Sequence, residues 1–148
     1  MANYMELDID SIAKIGLMFM DGDSLEDVLL DKIGHTDYDF DKFNVCKIVL
    51  MKIERMNPSL KVTGIIWQYR ADNCDIAIPV IAGKSLPYEG WQRTEVTDEM
   101  RRAFEGEFGV KKTRSSMASS HYYPVKNSDC GIVGVLELIV GNRDQLDI

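Results

Sequence analysis

The residues of this chain with the chemistry to bind a small molecule are aromatic and cationic side chains in its second half. They combine apolar ring surface with hydrogen-bond donors and positive charge, the mixture that lines ligand pockets. The set comprises Trp67, Tyr69, Arg70, Trp91, Arg93, His121 and Tyr123. We expect these residues to contribute to a ligand site over one face of a sheet, between Trp67 and Tyr123. The alternative is that the aromatic rings fill the hydrophobic core.

The motifs of catalysis and of metal or phosphate binding are incomplete. His35 and His121 are the two histidines, and neither stands in a nucleophile motif. In Ser119-Ser120-His121, neighbouring residues of a strand face opposite ways. The acidic segment 21–27 lacks the spacing of a calcium loop, and Gly83-Lys84-Ser85 is too short for a phosphate loop. We expect no enzyme activity, metal or cofactor, although a His/Asp/Ser cluster in a cleft would favour an enzyme.

The charge balance argues against a nucleic-acid partner. The net charge is −7, from 24 acidic and 17 basic side chains, and such a surface repels phosphates. The basic run Lys111-Lys112-Thr113-Arg114 is expected to be a solvated loop, with contact to an anion as the alternative. Three cysteines, at 46, 74 and 130, have no zinc, redox or disulfide spacing.

The chain has no apolar stretch close to the ~20 residues of a membrane span. Two locations remain open. The protein is cytoplasmic if the chain is complete, and extracytoplasmic if it is a piece of a receptor from between two membrane helices.

The elements that must position these residues begin with three helices. Apolar residues at helical spacing predict helices over about 11–20, 24–33 and 39–56. Asp10-Ser11 and Ser24 are the expected N-caps of the first two. Asn57-Pro58 is expected to end the third.

The second half of the chain has the pattern of a sheet. β-branched and aromatic residues predict strands over 62–70, 75–82, 119–125 and 132–140, and Thr97 caps a helix to about residue 104. Pro79 places the second strand at an edge, and Gly131 is expected to take a positive φ in the last turn. We predict one α+β domain over 1–148. Residues 1–57 form a helical part, and residues 58–148 form an antiparallel sheet with one inserted helix.

Three segments resemble a known group of domains. The sequence YYPVKNSDCGIVGVLEL (122–138) resembles the closing hairpin of the PAS-like sensory superfamily, which includes Cache and GAF domains. The sequence TDEMRRAFEG (97–106) looks like the helix and glycine that precede this hairpin in Cache domains. Residues 43–68 resemble their entry from a helix into the first strand. The resemblance covers about residues 40–142 and is nearest to Cache, with GAF second.

This resemblance implies a five- to six-stranded, mostly antiparallel sheet with the N-terminal helices packed on it and a pocket over the sheet. It further implies a small-molecule-sensing domain of a bacterial-type signal-transduction protein, which relays occupancy to an output domain or partner. Homodimers through the N-terminal helices are also implied. The alternative is a pocketless dimerisation or protein-interaction module that pairs through the Ile12–Phe19 face.

Overall fold

The computed structural model describes residues 8–27, 40–70, 73–83 and 94–142. Within these ranges the helices are α1 (Ile9–Phe19), α2 (residues 22–27), α3 (Phe40–Arg55) and α4 (Asp98–Phe104). The strands are β1 (Leu60–Arg70), β2 (Asn73–Ala82), β3 (Thr94–Glu95), β4 (Val110–Thr113), β5 (Ala118–Lys126) and β6 (Ile132–Asn142).

The described strands form one antiparallel sheet in the order β3-β2-β1-β6-β5-β4. The last strand therefore lies in the middle, between β1 and β5, as its long apolar sequence requires. This architecture confirms the predicted α+β class and the predicted five- to six-stranded, mostly antiparallel sheet. The predicted pairing of the last two strands in a hairpin is confirmed, since β5 pairs with β6.

One side of the sheet, here called the helical face, is covered by α1, α2 and α3. Its core joins helix residues to alternate residues of the central strands. The fully buried members include Ile12, Leu25, Leu50, Ile53, Ile66, Tyr123, Leu136 and Leu138. Burying each such side chain contributes on the order of 1.5–3 kcal/mol. The helical face has the larger of the two described core clusters.

The opposite side, here called the pocket face, is covered by α4. Met100 and Ala103 of α4 pack against Trp67, Tyr122 and Val135 of the sheet. This second core is smaller, because α4 has only 7 residues and covers only part of the face. Part of the sheet surface is left beside α4, and the candidate site lies there.

The first two helices begin earlier than the sequence suggested. The N-cap of α1 is Asp8, whose carboxylate accepts a hydrogen bond from the Ser11 backbone at 2.7 Å, so the expected cap at Asp10-Ser11 is wrong. Asp21 accepts hydrogen bonds from the backbone of Asp23 and Ser24 and caps α2 in place of Ser24. In both cases an aspartate N-terminal to the expected cap satisfies the free N–H groups.

The β5–β6 turn differs from the expectation at one residue. Cys130, with φ 65°, takes the left-handed conformation that was expected of Gly131. The Asn127 side chain accepts hydrogen bonds from the backbone of Asp129 and Gly131 at 3.0 and 2.8 Å, and these bonds stabilise the turn.

Two short strands were not predicted. β3 has two residues and pairs with Ile76 and Ala77 of β2, so within the described residues β2 has an outer neighbour over that part only. β4 contains most of the basic run, and the expectation of a solvated loop there is wrong. None of the described helices combines the length and the apolarity that a bilayer crossing needs.

Candidate functional site

A cavity of about 340 Å³ lies on the pocket face beside α4. Its apolar wall consists of Ile65, Trp67, Met100 and Ile139. Its polar lining consists of Thr94, Thr97, Lys112, Arg114, Tyr122 and Glu137. Apolar walls with a few placed polar groups are typical of small-molecule sites, and the volume is near the lower end of their usual range. The geometry therefore fits a compact ligand.

Glu137 is the buried charge of this cavity. It lies on the central strand β6 and is 3% exposed. Its Oε1 accepts a hydrogen bond from Trp67 Nε1 at 2.8 Å, and its Oε2 accepts one from Ser120 Oγ at 2.6 Å. A buried carboxylate is strongly destabilising unless such donors compensate it. Here β1 and β5, the two neighbours of β6, supply them.

Two cationic side chains lie at the outer side of the cavity. Arg114 Nη1 is 3.5 Å from Glu137 Oε2 and 3.3 Å from Ser120 Oγ, while half of the Arg114 side chain is exposed. Lys112 pairs with Ser120 in the β4–β5 register and lines the same cavity. Lys112 forms no ion pair within the part of the chain that the structure describes. The described lining of the cavity thus contains two cations and one carboxylate.

Tyr122 supplies a phenol that stays protonated. Burial, and next the negative charge of Glu137, raise the pKa of Tyr122 above its ordinary value of 10.0. A neutral phenol can both donate and accept a hydrogen bond.

Tyr69 lies outside the cavity lining. Its ring stacks on Phe104 of α4 with ring centroids 3.8 Å apart, so it holds α4 against the sheet.

The predicted site residues are only partly brought together. Trp67 lines the cavity, and Tyr69 packs against Phe104 of α4, the helix beside the cavity. Arg70 ends β1, and its side chain lies outside the described residues. Trp91 and Arg93 also lie outside them.

His121 and Tyr123 lie on the helical face, across the sheet from Trp67. Tyr123 is fully buried there, and its hydroxyl donates to Asp10 Oδ1 at 2.7 Å. A single site between Trp67 and Tyr123 is therefore wrong, because the sheet separates the two rings. Side chains alternate between the faces of a strand, and Tyr122 is the tyrosine of β5 that shares the face of Trp67.

His121 and Ser119 form a hydroxyl–imidazole pair, with Ser119 Oγ 2.9 Å from Nε2 of His121. Burial lowers the pKa of His121, Lys111 lowers it further, and the Asp10 carboxylate opposes them. A catalytic triad needs the acid to orient the imidazole. Among the described contacts, the Asp10 carboxylate accepts from Tyr123 and no bond to His121 is found. Among the described residues, the pair therefore has no carboxylate bonded to its imidazole.

The described residues form no metal-ion cluster, and of their two free cysteines Cys46 is buried and Cys130 is exposed. No group of three or more His, Cys, Asp or Glu side chains there is arranged to hold a metal ion. Burial raises the pKa of the Cys46 thiol to about 11, which keeps it protonated and unreactive at neutral pH.

Sequence reasoning missed most of the cavity lining, above all Glu137, Lys112, Arg114 and Tyr122. One signal was available for Glu137, since it is the single charged residue inside the apolar run 132–140. A carboxylate in a central strand must be paired or functional. Lys112 and Arg114 were noted only as part of a basic run, because the pairing of β4 was not foreseen.

Comparison with known proteins gives one similar solved structure to report. It is the extracellular domain of a protein assigned as a histidine kinase, mmHK1S-Z3, with 13% sequence identity and a TM-score of 0.39. The match covers 93% of this chain and 55% of that one, so this chain spans about half of its length. No family model and no curated protein matches the chain. The resemblance of this chain to Cache domains therefore stays a prediction.

Proposed function

We propose that this domain is a small-molecule sensor whose ligand occupies the cavity on the pocket face. The observation that carries the proposal is the cavity of about 340 Å³ in which the buried Glu137 meets Trp67, Ser120 and Arg114. Burying a charge lowers the stability of a fold, because the charge loses its hydration. Buried charges that side chains from several strands hold in place are common at binding sites. The proposal is binding rather than catalysis.

The position of Glu137 also supports a signalling role. Glu137 lies on β6, which pairs along its length with β1 and β5. A ligand that changes the contacts of Glu137, including its contact with Arg114, therefore acts on the central strand. Such a ligand shifts the domain between two states only to the extent that it binds them unequally, and an output domain or partner would respond to that shift.

A thermal-shift screen tests the proposal, because a ligand of the folded state raises its melting temperature. The compounds are small anions, cations, zwitterions and neutral molecules. The variant Ile139→Trp fills the cavity and is expected to lose the response. The control Ile78→Trp places the same ring at an exposed strand position outside the cavity lining and is expected to keep it. If no compound of any class stabilises the wild type, the sensor proposal fails.

We also propose, as the second candidate, self-association through α1 and α3. Four large apolar side chains on these helices are at least half exposed, namely Met18, Phe19, Val45 and Ile48. Ile12 is fully buried in the core, so the whole Ile12–Phe19 face is not free to pair. Light scattering after size exclusion tests this candidate. A dimer that the variants Phe19→Ser and Ile48→Ser convert to a monomer supports it, and a wild-type monomer at ~100 µM contradicts it.

A further inference from the structure

We infer that the ligand of this cavity carries an anionic group, a carboxylate or a phosphate, which Lys112 and Arg114 bind together. This inference rests on the proposed sensor function and names the chemical class of its ligand. Some polar groups of the cavity are already hydrogen-bonded within the protein, and others are available to a ligand. The inference follows from this difference.

The negative group of the cavity is already satisfied. Both oxygens of Glu137 accept short hydrogen bonds from neutral donors, Trp67 and Ser120. Both donors lie on the strands beside Glu137, so the protein itself compensates the carboxylate. A cationic ligand that contacts Glu137 would have to displace the hydrogen bonds from Trp67 or Ser120, or compete with them for the same oxygens. Glu137 is therefore better suited to position Arg114 than to contact a ligand charge.

The positive groups are available. Arg114 contacts Glu137 and Ser120 through Nη1 alone, at 3.5 and 3.3 Å, and a guanidinium has five N–H donors. Lys112 lines the cavity with three donors and no ion pair among the described residues. Two cations and one compensated carboxylate give the described lining a net formal charge of +1. Arg and Lys side chains form their strongest hydrogen bonds to carboxylates and phosphates.

The remaining lining suits the rest of such a ligand. Thr94, Thr97 and Tyr122 place hydroxyl groups around the cavity, while Ile65, Trp67 and Ile139 offer apolar surface. The volume of about 340 Å³ accommodates a ligand of one ring or a short chain. An organic anion with one compact apolar part matches this surface.

The test compares probes of one shape and different charge. Benzoate, benzamide and benzylamine share one ring and carry charges of −1, 0 and +1, and phenyl phosphate supplies the second anionic chemistry. Binding is measured by amide NMR titration of the whole chain at constant ionic strength. We expect saturable shifts at β4 and β6 with benzoate or phenyl phosphate, and at least about tenfold weaker binding of the other two. Whichever of benzoate and phenyl phosphate binds more tightly shows whether the anionic group of the ligand is a carboxylate or a phosphate.

Adjacent residues of β4 provide the matched control. Lys112→Met and Arg114→Met are each expected to weaken anion binding about tenfold or more, since each removes charge-assisted hydrogen bonds. Arg114→Lys keeps the charge but not the planar guanidinium, so its affinity for the anion should lie between those of the wild type and Arg114→Met. Lys111→Met removes the same charge one residue away, where the side chain lies outside this cavity, and should change the affinity less than about twofold.

Several results overturn the inference. They are benzamide or benzylamine binding as tightly as the anions, anion binding that survives both methionine variants, and no saturable binding of either anion. Tight binding of benzylamine or benzamide at the same amides would leave the sensor proposal standing and refute the anionic class alone. Failure of every probe, together with a failed thermal-shift screen, refutes both.

Discussion

The indole N–H of Trp67 donates a 2.8 Å hydrogen bond to the carboxylate of Glu137, across 70 positions of the sequence. Trp67 lies on β1 and Glu137 on β6, and the antiparallel register of these strands brings them to one face. Ser120 of β5 donates to the same carboxylate. Three neighbouring strands thus converge on one buried charge, and this relationship defines the site.

Removing the Glu137 carboxylate should destabilise the fold. Glu137→Leu leaves the Trp67 and Ser120 donors without their acceptor, and the free energy of unfolding should fall by about 1–3 kcal/mol. Glu137→Gln keeps one acceptor oxygen and should lose less. Urea unfolding measures both, with Glu105→Leu at an exposed position as the control, expected within about 0.5 kcal/mol of wild type. Wild-type stability of Glu137→Leu would show that this hydrogen-bond network contributes nothing to folding.

The hydroxyl of Tyr123 should link α1 to the sheet. It donates to Asp10 Oδ1 at 2.7 Å from a fully buried ring, so Tyr123→Phe should lower the free energy of unfolding by about 1 kcal/mol. A double-mutant cycle with Asp10→Asn isolates the interaction, and the two losses should not add. In a parallel cycle with the exposed Asp129→Asn, the losses should add. Additive losses in the first cycle would mean that the Tyr123–Asp10 bond is not energetically significant.

Gly22 should be intolerant of a side chain. A Cβ added there would lie 1.9 Å from the backbone oxygen of Lys126, so α2 could not stay against the β5–β6 turn. Gly22→Ala should cost about 1–3 kcal/mol of stability and weaken the hydrogen bond from Ser128 to Asp23. Hydrogen exchange at the Ser128 amide reports that bond. Gly131→Ala, whose nearest neighbour would be the Asn127 side chain at 3.3 Å, is the milder comparison. Equal effects of the two changes would contradict this packing.

His121 should titrate below its ordinary pKa of 6.5, because burial and then Lys111 disfavour the imidazolium against the opposing Asp10. Lys111→Gln should raise the pKa of His121 and Asp10→Asn should lower it further, as measured by NMR titration. The unfolded chain binds the proton first, so stability is lost as the pH falls below about 6.5 towards the folded pKa. His121→Gln should remove that part of the pH dependence. A pKa of His121 above 6.5 would contradict the burial seen here.

The order of elements and the class of the fold follow from the sequence itself. The apolar run 132–140 predicts a strand covered on both faces, and the helical spacing of the first 57 residues predicts helices that pack on a sheet. These are local patterns that hold in any compact fold of this chain. Trp67 could be predicted as a site residue from its type alone, because a tryptophan side chain suits both a core and a pocket.

The site itself was decided by the tertiary structure. Whether Tyr122 or Tyr123 joins Trp67 depends on a strand register that local pattern does not specify, and a shift of one residue exchanges the two faces. Lys112 and Arg114 look like loop residues until β4 pairs with β5. Glu137 gains its donors only when β1 and β5 enclose β6. Long-range pairing brings these groups together, and no short stretch of sequence contains that information.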